Sequence, residues 1–301
     1  MPSEDFHPDL RRVARFAPRP LVSRRTLPLL RALAFLHLPR RRDDVEVVTF
    51  AAGAGVRLHR PLESAATAGA LLWIHGGGYL LGNARQDDAL CRRFALKLGI
   101  TVGSVEYRPA PEHPFPAALE DCYAALQRLV ALPGVDPARV AIGGASAGGG
   151  LAAALALMTR DRGEIDPALQ LLVYPMLDDR TVAKSPSDAR NYRVWTERSN
   201  RFGWAAYLGN ANPDIAVPAR NTDLAGLPPA WIGVGTLDLF HDENLAYAER
   251  LKKAGVPCRV EVVTGAFHGF DTVAPGAPVS QSFFDSQCAS LHDALTAGSA
   301  A

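Results

Sequence analysis

From Val45 onward, short apolar runs rich in β-branched residues alternate with longer stretches whose apolar positions recur every three to four residues. The short runs predict strands at 45–50, 56–60, 70–75, 100–105, 139–143, 169–173, 230–235 and 258–263. The longer stretches predict helices near 84–98, 116–131, 147–160, 242–254 and 280–296. Gly53 and Gly55 separate the first two strands, as in a hairpin. Beyond them the regular exchange of strand and helix predicts an α/β architecture, a mostly parallel sheet covered on both faces. In such sheets functional groups gather at the carboxyl ends of the strands.

Two segments break the alternation. Residues 178–226 hold no good strand but carry Tyr192, Trp195, Phe202, Trp204 and Tyr207. They predict helices inserted between two strands. Residues 1–42 predict two short helices, the second around Leu27–Leu38, with Leu27, Leu30, Leu33, Ala34 and His37 at helical spacing. The domain organisation expected is therefore a single domain over 1–301 with a cap formed by about 1–42 and about 178–226.

Charge sharpens this picture. The 301 residues are 48% hydrophobic and 21% charged, with a net charge of +1, so no overall attraction to nucleic acid is expected. The balance is uneven: residues 1–42 hold ten Arg and three acidic residues. This basic segment reads as a cap on an acidic body, or as an arm for a membrane surface. Val140 to Thr159 is free of charge and long enough to span a bilayer, but five glycines interrupt it. It reads as a buried strand, a tight turn and a buried helix, so no integral membrane span is expected. Cys91, Cys122, Cys258 and Cys288 form no CxxC pair and fit no zinc spacing. They read as buried reduced thiols, which together with a polar, acidic start suits a cytoplasmic protein.

The candidate chemistry sits at predicted strand ends. Gly144-Ala145-Ser146-Ala147-Gly148 follows one strand and opens a helix rich in Ala and Leu. A serine at such a turn is forced into strained backbone geometry, so its neighbours must be small, and its hydroxyl is lifted clear of the sheet. A phosphate-binding loop is the alternative, but no GK[ST] follows. His75-Gly76-Gly77-Gly78-Tyr79 follows the strand ALLWI and offers free N–H groups for an oxyanion, alongside the N–H of Ala147. A serine hydroxyl needs a base. His268, in GAFHGF past the last strand, is the candidate, and Asp238, directly after AWIGVGTL, is the candidate acid behind it. Asp242 is the rival acid, but it stands where a helix begins and reads as a cap. Tyr79, Phe202, Trp204 and Tyr207 are candidate pocket walls.

These motifs, with EYRPAPEHPFPAALED at 106–121 and DLFHDENLAYAERLKKAG from Asp238, resemble the hormone-sensitive-lipase-like family of α/β hydrolases. The resemblance implies an eight-stranded sheet under a helical cap and a triad of Ser146, Asp238 and His268. It implies the N–H groups of Gly77, Gly78 and Ala147 as the oxyanion hole, and neither cofactor nor metal. The chain departs from the family at Ala145, where Asp is frequent, and at Asp238-Leu239-Phe240-His241, where the family usually has Pro and Arg after the acid. The activity implied is that of a carboxylesterase on a small-molecule ester of small to medium chain length, from a monomer or homodimer. An amidase or deacetylase on the same fold is the alternative, and a non-catalytic receptor, like the plant gibberellin receptors that lack the histidine, is a more distant one.

Overall fold

A computed structural model describes residues 5–19, 21–36, 45–50, 53–61, 68–182 and 186–296. Its centre is one eight-stranded sheet: β1 (Glu46–Thr49), β2 (Gly55–His59), β3 (Ala68–Ile74), β4 (Thr101–Glu106), β5 (Val135–Ala145), β6 (Leu169–Val173), β7 (Ala230–Leu237) and β8 (Cys258–Phe267), in the order β1-β2-β4-β3-β5-β6-β7-β8. β1 and β2 form the expected antiparallel hairpin, β2 joins β4 antiparallel, and every later pairing is parallel. All eight predicted strands are present. β5 begins four residues before its predicted start, because a sparsely paired lead-in that contains Asp136 and Pro137 precedes the apolar run. β8 runs on past Gly265, whose φ of 72° carries the strand through an irregular register until Leu237 pairs with Phe267.

The interior strands alternate between two apolar cores. Ala70, Leu72 and Ile74 of β3 enter one core and Leu71 and Trp73 the other, because successive side chains leave opposite faces of a strand. The first face is covered by α4 (Ala117–Val130), α5 (Ala147–Arg162) and α9 (His241–Lys253), through residues such as Leu126, Leu155 and Leu251. The second is covered by α3 (Asp88–Leu98) and α10 (Pro278–Thr296), through Phe94, Phe283 and Leu291. Each fully buried side chain of this kind contributes about 1.5–3 kcal/mol relative to exposure. The charge-free stretch 140–159 is the end of β5, a tight turn and most of α5, all within the sheet layers. Among the described residues no helix is long and apolar enough to cross a membrane.

The N-terminal segment supplies α1 (Arg11–Ala14) and α2 (Leu27–Leu36). The insertion supplies α6 (Pro186–Asn191), α7 (Glu197–Leu208) and α8 (Pro213–Ala216). The two segments touch each other: Val194 N–H donates to the Pro18 carbonyl at 2.8 Å, Val22 N–H to Ser199 Oγ at 3.0 Å, and Arg193 Nε to the Ala14 carbonyl at 2.7 Å. α2 buries Leu27 but exposes Leu29, Leu33 and Leu36, and His37 and Leu38 of its predicted span lie outside the described residues. Among the described N-terminal arginines, Arg31 engages the body: it donates to the carbonyls of Leu80 and Ala110 and pairs through two nitrogens with Glu112.

Candidate active site

The pairing of the strands brings the motifs together. The chain crosses from β4, on one side of β3, to β5 on the other, so a crevice opens at the carboxyl ends of β3 and β5. Ile74 pairs with Gly144, so the glycine loop and Ser146 leave the sheet as neighbours. At the other side of the site Leu237 pairs with Phe267, which sends Asp238 and His268 out side by side.

Ser146 has φ 57° and ψ −120°, a region that costs a residue bearing Cβ about 1–3 kcal/mol. Hydrogen bonds hold it there: its N–H donates to Val173 at 2.9 Å, and its carbonyl accepts from Gly150 at 3.0 Å and Met176 at 2.9 Å. A methyl group on Gly148 would overlap the Ile74 and His75 carbonyls, which is why the turn admits only glycine there. α5 begins at Ala147, so the hydroxyl of Ser146 lies at the positive end of a sixteen-residue helix.

His268 bridges the other two residues. Its Nδ1 lies 2.7 Å from Asp238 Oδ2 and its Nε2 lies 2.9 Å from Ser146 Oγ. Asp238 is fully buried, and its Oδ1 accepts the N–H of Phe240 at 2.9 Å. The His268 ring is packed edge-on by Tyr174 and Phe240. Asp242 is elsewhere, in the first turn of α9, half exposed and bound to His241. The loss of Pro and Arg from the Asp238 loop leaves the acid in contact with His268, because the main-chain N–H of Phe240 orients the carboxylate.

Gly77 and Gly78 have φ 129° and 62°, turning the loop after β3 beneath Ser146. Among the described residues nothing accepts a hydrogen bond from their N–H groups or from that of Ala147. His75 is not available for proton transfer in this loop. It is buried and stacked on Tyr107, its Nδ1 lies 2.8 Å from the Gly76 carbonyl, and burial lowers its pKa to about 4. The ring is therefore neutral across the physiological range.

A cavity of about 260 Å³ opens on Ser146 and His268. Its wall is mainly apolar and aromatic, with Trp73, Tyr174, Val194 and Trp195 beside the glycine loop. These walls differ from those expected from the sequence. Tyr79, Trp204 and Tyr207 are not in this cavity but buried behind the loop, where Tyr79 stacks on Tyr207 at 4.0 Å. Phe202 packs against the same core. Trp195 in the wall has no counterpart in the sequence pattern, because a tryptophan in an irregular segment bears no periodic signal. Val194, next to it, has φ 64°, a strained value for a β-branched residue, in the turn that presents both side chains to the cavity. Among the described residues no cluster of His, Cys, Asp and Glu could hold a metal.

The α/β-hydrolase-fold family profile matches residues 71–272, two thirds of the chain. The chain belongs to that family, in its hormone-sensitive-lipase-like group. Among curated α/β hydrolases it is similar to the carboxylic ester hydrolase LipN of Mycobacterium tuberculosis, 36% identical over 77% of this chain and 65% of LipN. It is also similar to the esterase LipI of the same organism, 34% identical over 81% of this chain and 79% of LipI. Among solved structures it resembles a bacterial heroin esterase, with a TM-score of 0.88 and 35% identity over 98% of this chain and 99% of the other. Esterase LipW from Mycobacterium marinum follows at a TM-score of 0.87 and 34% identity, with 97% of each chain covered.

Proposed function

We propose that this α/β hydrolase is a carboxylesterase whose nucleophile is Ser146, with His268 as base and Asp238 as the group that orients it. The observation that carries the reading is the double contact of His268, 2.7 Å to the carboxylate and 2.9 Å to the hydroxyl. Nδ1–H donating to Asp238 leaves the Nε2 lone pair facing Ser146. Ser146 Oγ then attacks the ester carbonyl carbon as its proton passes to Nε2, and the carbonyl oxygen becomes an anion. The N–H groups of Gly77, Gly78 and Ala147 receive that anion, and such preorganised donors are worth about 10²–10³ in turnover apiece. Collapse expels the alcohol, which takes the proton from Nε2. Water, deprotonated by the same nitrogen, attacks the acyl-enzyme and releases the acid and the free serine. The base acts only when neutral, so kcat/KM falls as the solution is acidified.

The apolar cavity of about 260 Å³ suits small to medium acyl chains. The mutual contacts of the N-terminal segment and the insertion, with Val22, Val194 and Trp195 in the cavity wall, support their action as a cap. Four unpaired cysteines suit a reducing cytoplasm. Hydrolysis of p-nitrophenyl butyrate by the wild type beside Ser146→Ala tests the reading. Turnover that falls by about 10⁴-fold or more in a variant with unchanged circular dichroism is expected. Wild-type inactivity on the acetate, butyrate and octanoate would sink it.

A further inference from the structure

Several acids in this protein are matched to cations. Asp88 is held by two nitrogens of Arg57, Asp121 by Arg108, Asp179 by Arg220, and Glu112 by Arg31. The buried Glu243 instead accepts the main-chain N–H groups of Leu177 and Asp178. Two acids in the wall of the Ser146 cavity have no Lys or Arg partner among the described residues, although one of them, Asp271, also accepts main-chain N–H groups of its own turn. Asp87 closes the short helix Ala84–Asp87, and Asp271 lies three residues after His268. Asp87 Oδ2 accepts the indole N–H of Trp73 at 2.7 Å, and Asp271 Oδ1 accepts the hydroxyl of Tyr174 at 2.7 Å. All four residues line the cavity together, and its described lining contains neither Lys nor Arg.

We infer that this wall is a recognition site for a protonated amine, and that the substrates preferred are carboxylic esters carrying one. The inference rests on the esterase reading above and names the substrate class of that same site. Trp73 and Tyr174 hold the two carboxylates in fixed orientations, and they place aromatic surface beside them. Carboxylates and aromatic faces together form the environment in which an ammonium is stabilised by charge and by the ring quadrupoles. Two anions in an apolar wall repel each other and are poorly solvated, so a cation that enters relieves both penalties at once. The electrostatics agree. Burial pushes Asp87 up to about 6 against the opposing Trp73 hydrogen bond, with Asp271 adding to the rise, and burial raises Asp271 as well. A neutral ester of the same shape gains nothing from these groups.

The test uses two pairs of esters followed by pH-stat at neutral pH. In the first the amine is on the alcohol side: dimethylaminoethyl butyrate against isopentyl butyrate, in which carbon replaces the nitrogen. In the second it is on the acid side: ethyl dimethylaminobutyrate against ethyl methylhexanoate of matching branching. The readout is the ratio of kcat/KM within each pair, which loss of folded enzyme does not move. The wild type is expected to favour the amine at least tenfold in one pair, mainly through KM. Asp87→Asn and Asp271→Asn, each measured alone, are expected to bring that ratio down several-fold. A wild-type ratio of one or less in both pairs, or a preference untouched by either variant, overturns the inference while leaving the esterase reading intact. Failure to hydrolyse any of the four esters overturns both.

Discussion

The two sides of the Ser146 site are built in different ways. One side consists of strand ends: the glycine loop after β3, the turn after β5, and the paired exits of β7 and β8. Here the main chain is pinned by the sheet and side chains have almost no freedom to miss one another. The other side comes from the N-terminal segment and the insertion, which reach the cavity through Val22, Val194 and Trp195 and are tied together by hydrogen bonds between loops. In the function proposed, the sheet side carries chemistry that tolerates no displacement, and the N-terminal segment and the insertion, as a cap, carry shape and can change without dismantling the fold.

The largest effect expected lies on the sheet side. Asp238→Asn preserves the volume of the carboxylate but presents Nδ1 of His268 with either an acceptor or a donor, so the productive tautomer is no longer enforced. A fall in kcat of about 10⁴-fold is expected, by analogy with the same change in serine proteases. Asp242→Asn, on the exposed start of α9, is expected to leave kcat within a few-fold of wild type. Equal losses in the two variants would remove Asp238 from the role given to it.

A second test probes the junction of the two sides. A Cβ on Gly78 would overlap the indole of Trp195, and φ 62° there is unfavourable for any residue bearing Cβ. Gly78→Ala is expected to push the loop and the cap apart and to cost about 10²-fold in kcat through a displaced oxyanion donor. Adding Trp195→Ala removes the obstacle but not the backbone strain, so the double variant should recover part of the loss. A double variant no better than Gly78→Ala would mean that the strain alone is responsible.

A third and smaller effect concerns the attachment of the cap. Arg31→Ala removes donors to the carbonyls of Leu80 and Ala110 and a two-nitrogen pair with Glu112. A loss of about 1–2 kcal/mol in stability is expected, seen as a Tm lower by a few degrees. A larger proportional change in KM than in kcat would place the effect in the cap.

The same contrast explains what the sequence made legible. Glycines at 76–78 and 148–150, a serine between small residues, and an Asp and a His after β-rich runs are signals of residue type at strand ends, and strand ends converge in a parallel sheet. The cap offered no such rule. Trp195 and Trp204 lie nine residues apart in a segment of mixed character, and nothing local says that one faces the cavity while the other packs at a tilt against Tyr79. Asp87 and Asp271 were equally hidden, because an acid in the first turn of a helix reads as a partner of the helix dipole. Only the fold reveals that both face the same cavity.

Asp87 and its neighbour Asp88 turn that last point into the finest test, since adjacent acids should respond to pH with opposite signs. Burial pushes Asp87 up to about 6, so between the ordinary carboxyl range and pH 6 the folded state holds a proton that the unfolded chain has released. Stability tied to Asp87 therefore falls as pH rises through that window. Asp88 is buried too, but the His59 ring 3.4 Å away and two hydrogen bonds from Arg57 outweigh burial and hold it below its ordinary value. Its contribution is present at neutral pH and is lost as the solution becomes acid. Asp87→Asn is thus expected to raise Tm slightly at pH 7 and to change it little at pH 4. Asp88→Asn is expected to lower Tm at pH 7, where Arg57 is left unmatched, with the difference narrowing towards acid. Thermal melts of the three proteins from pH 4 to pH 8 measure both signs at once, and parallel curves for the two variants would mean that Asp87 is matched by a cation after all.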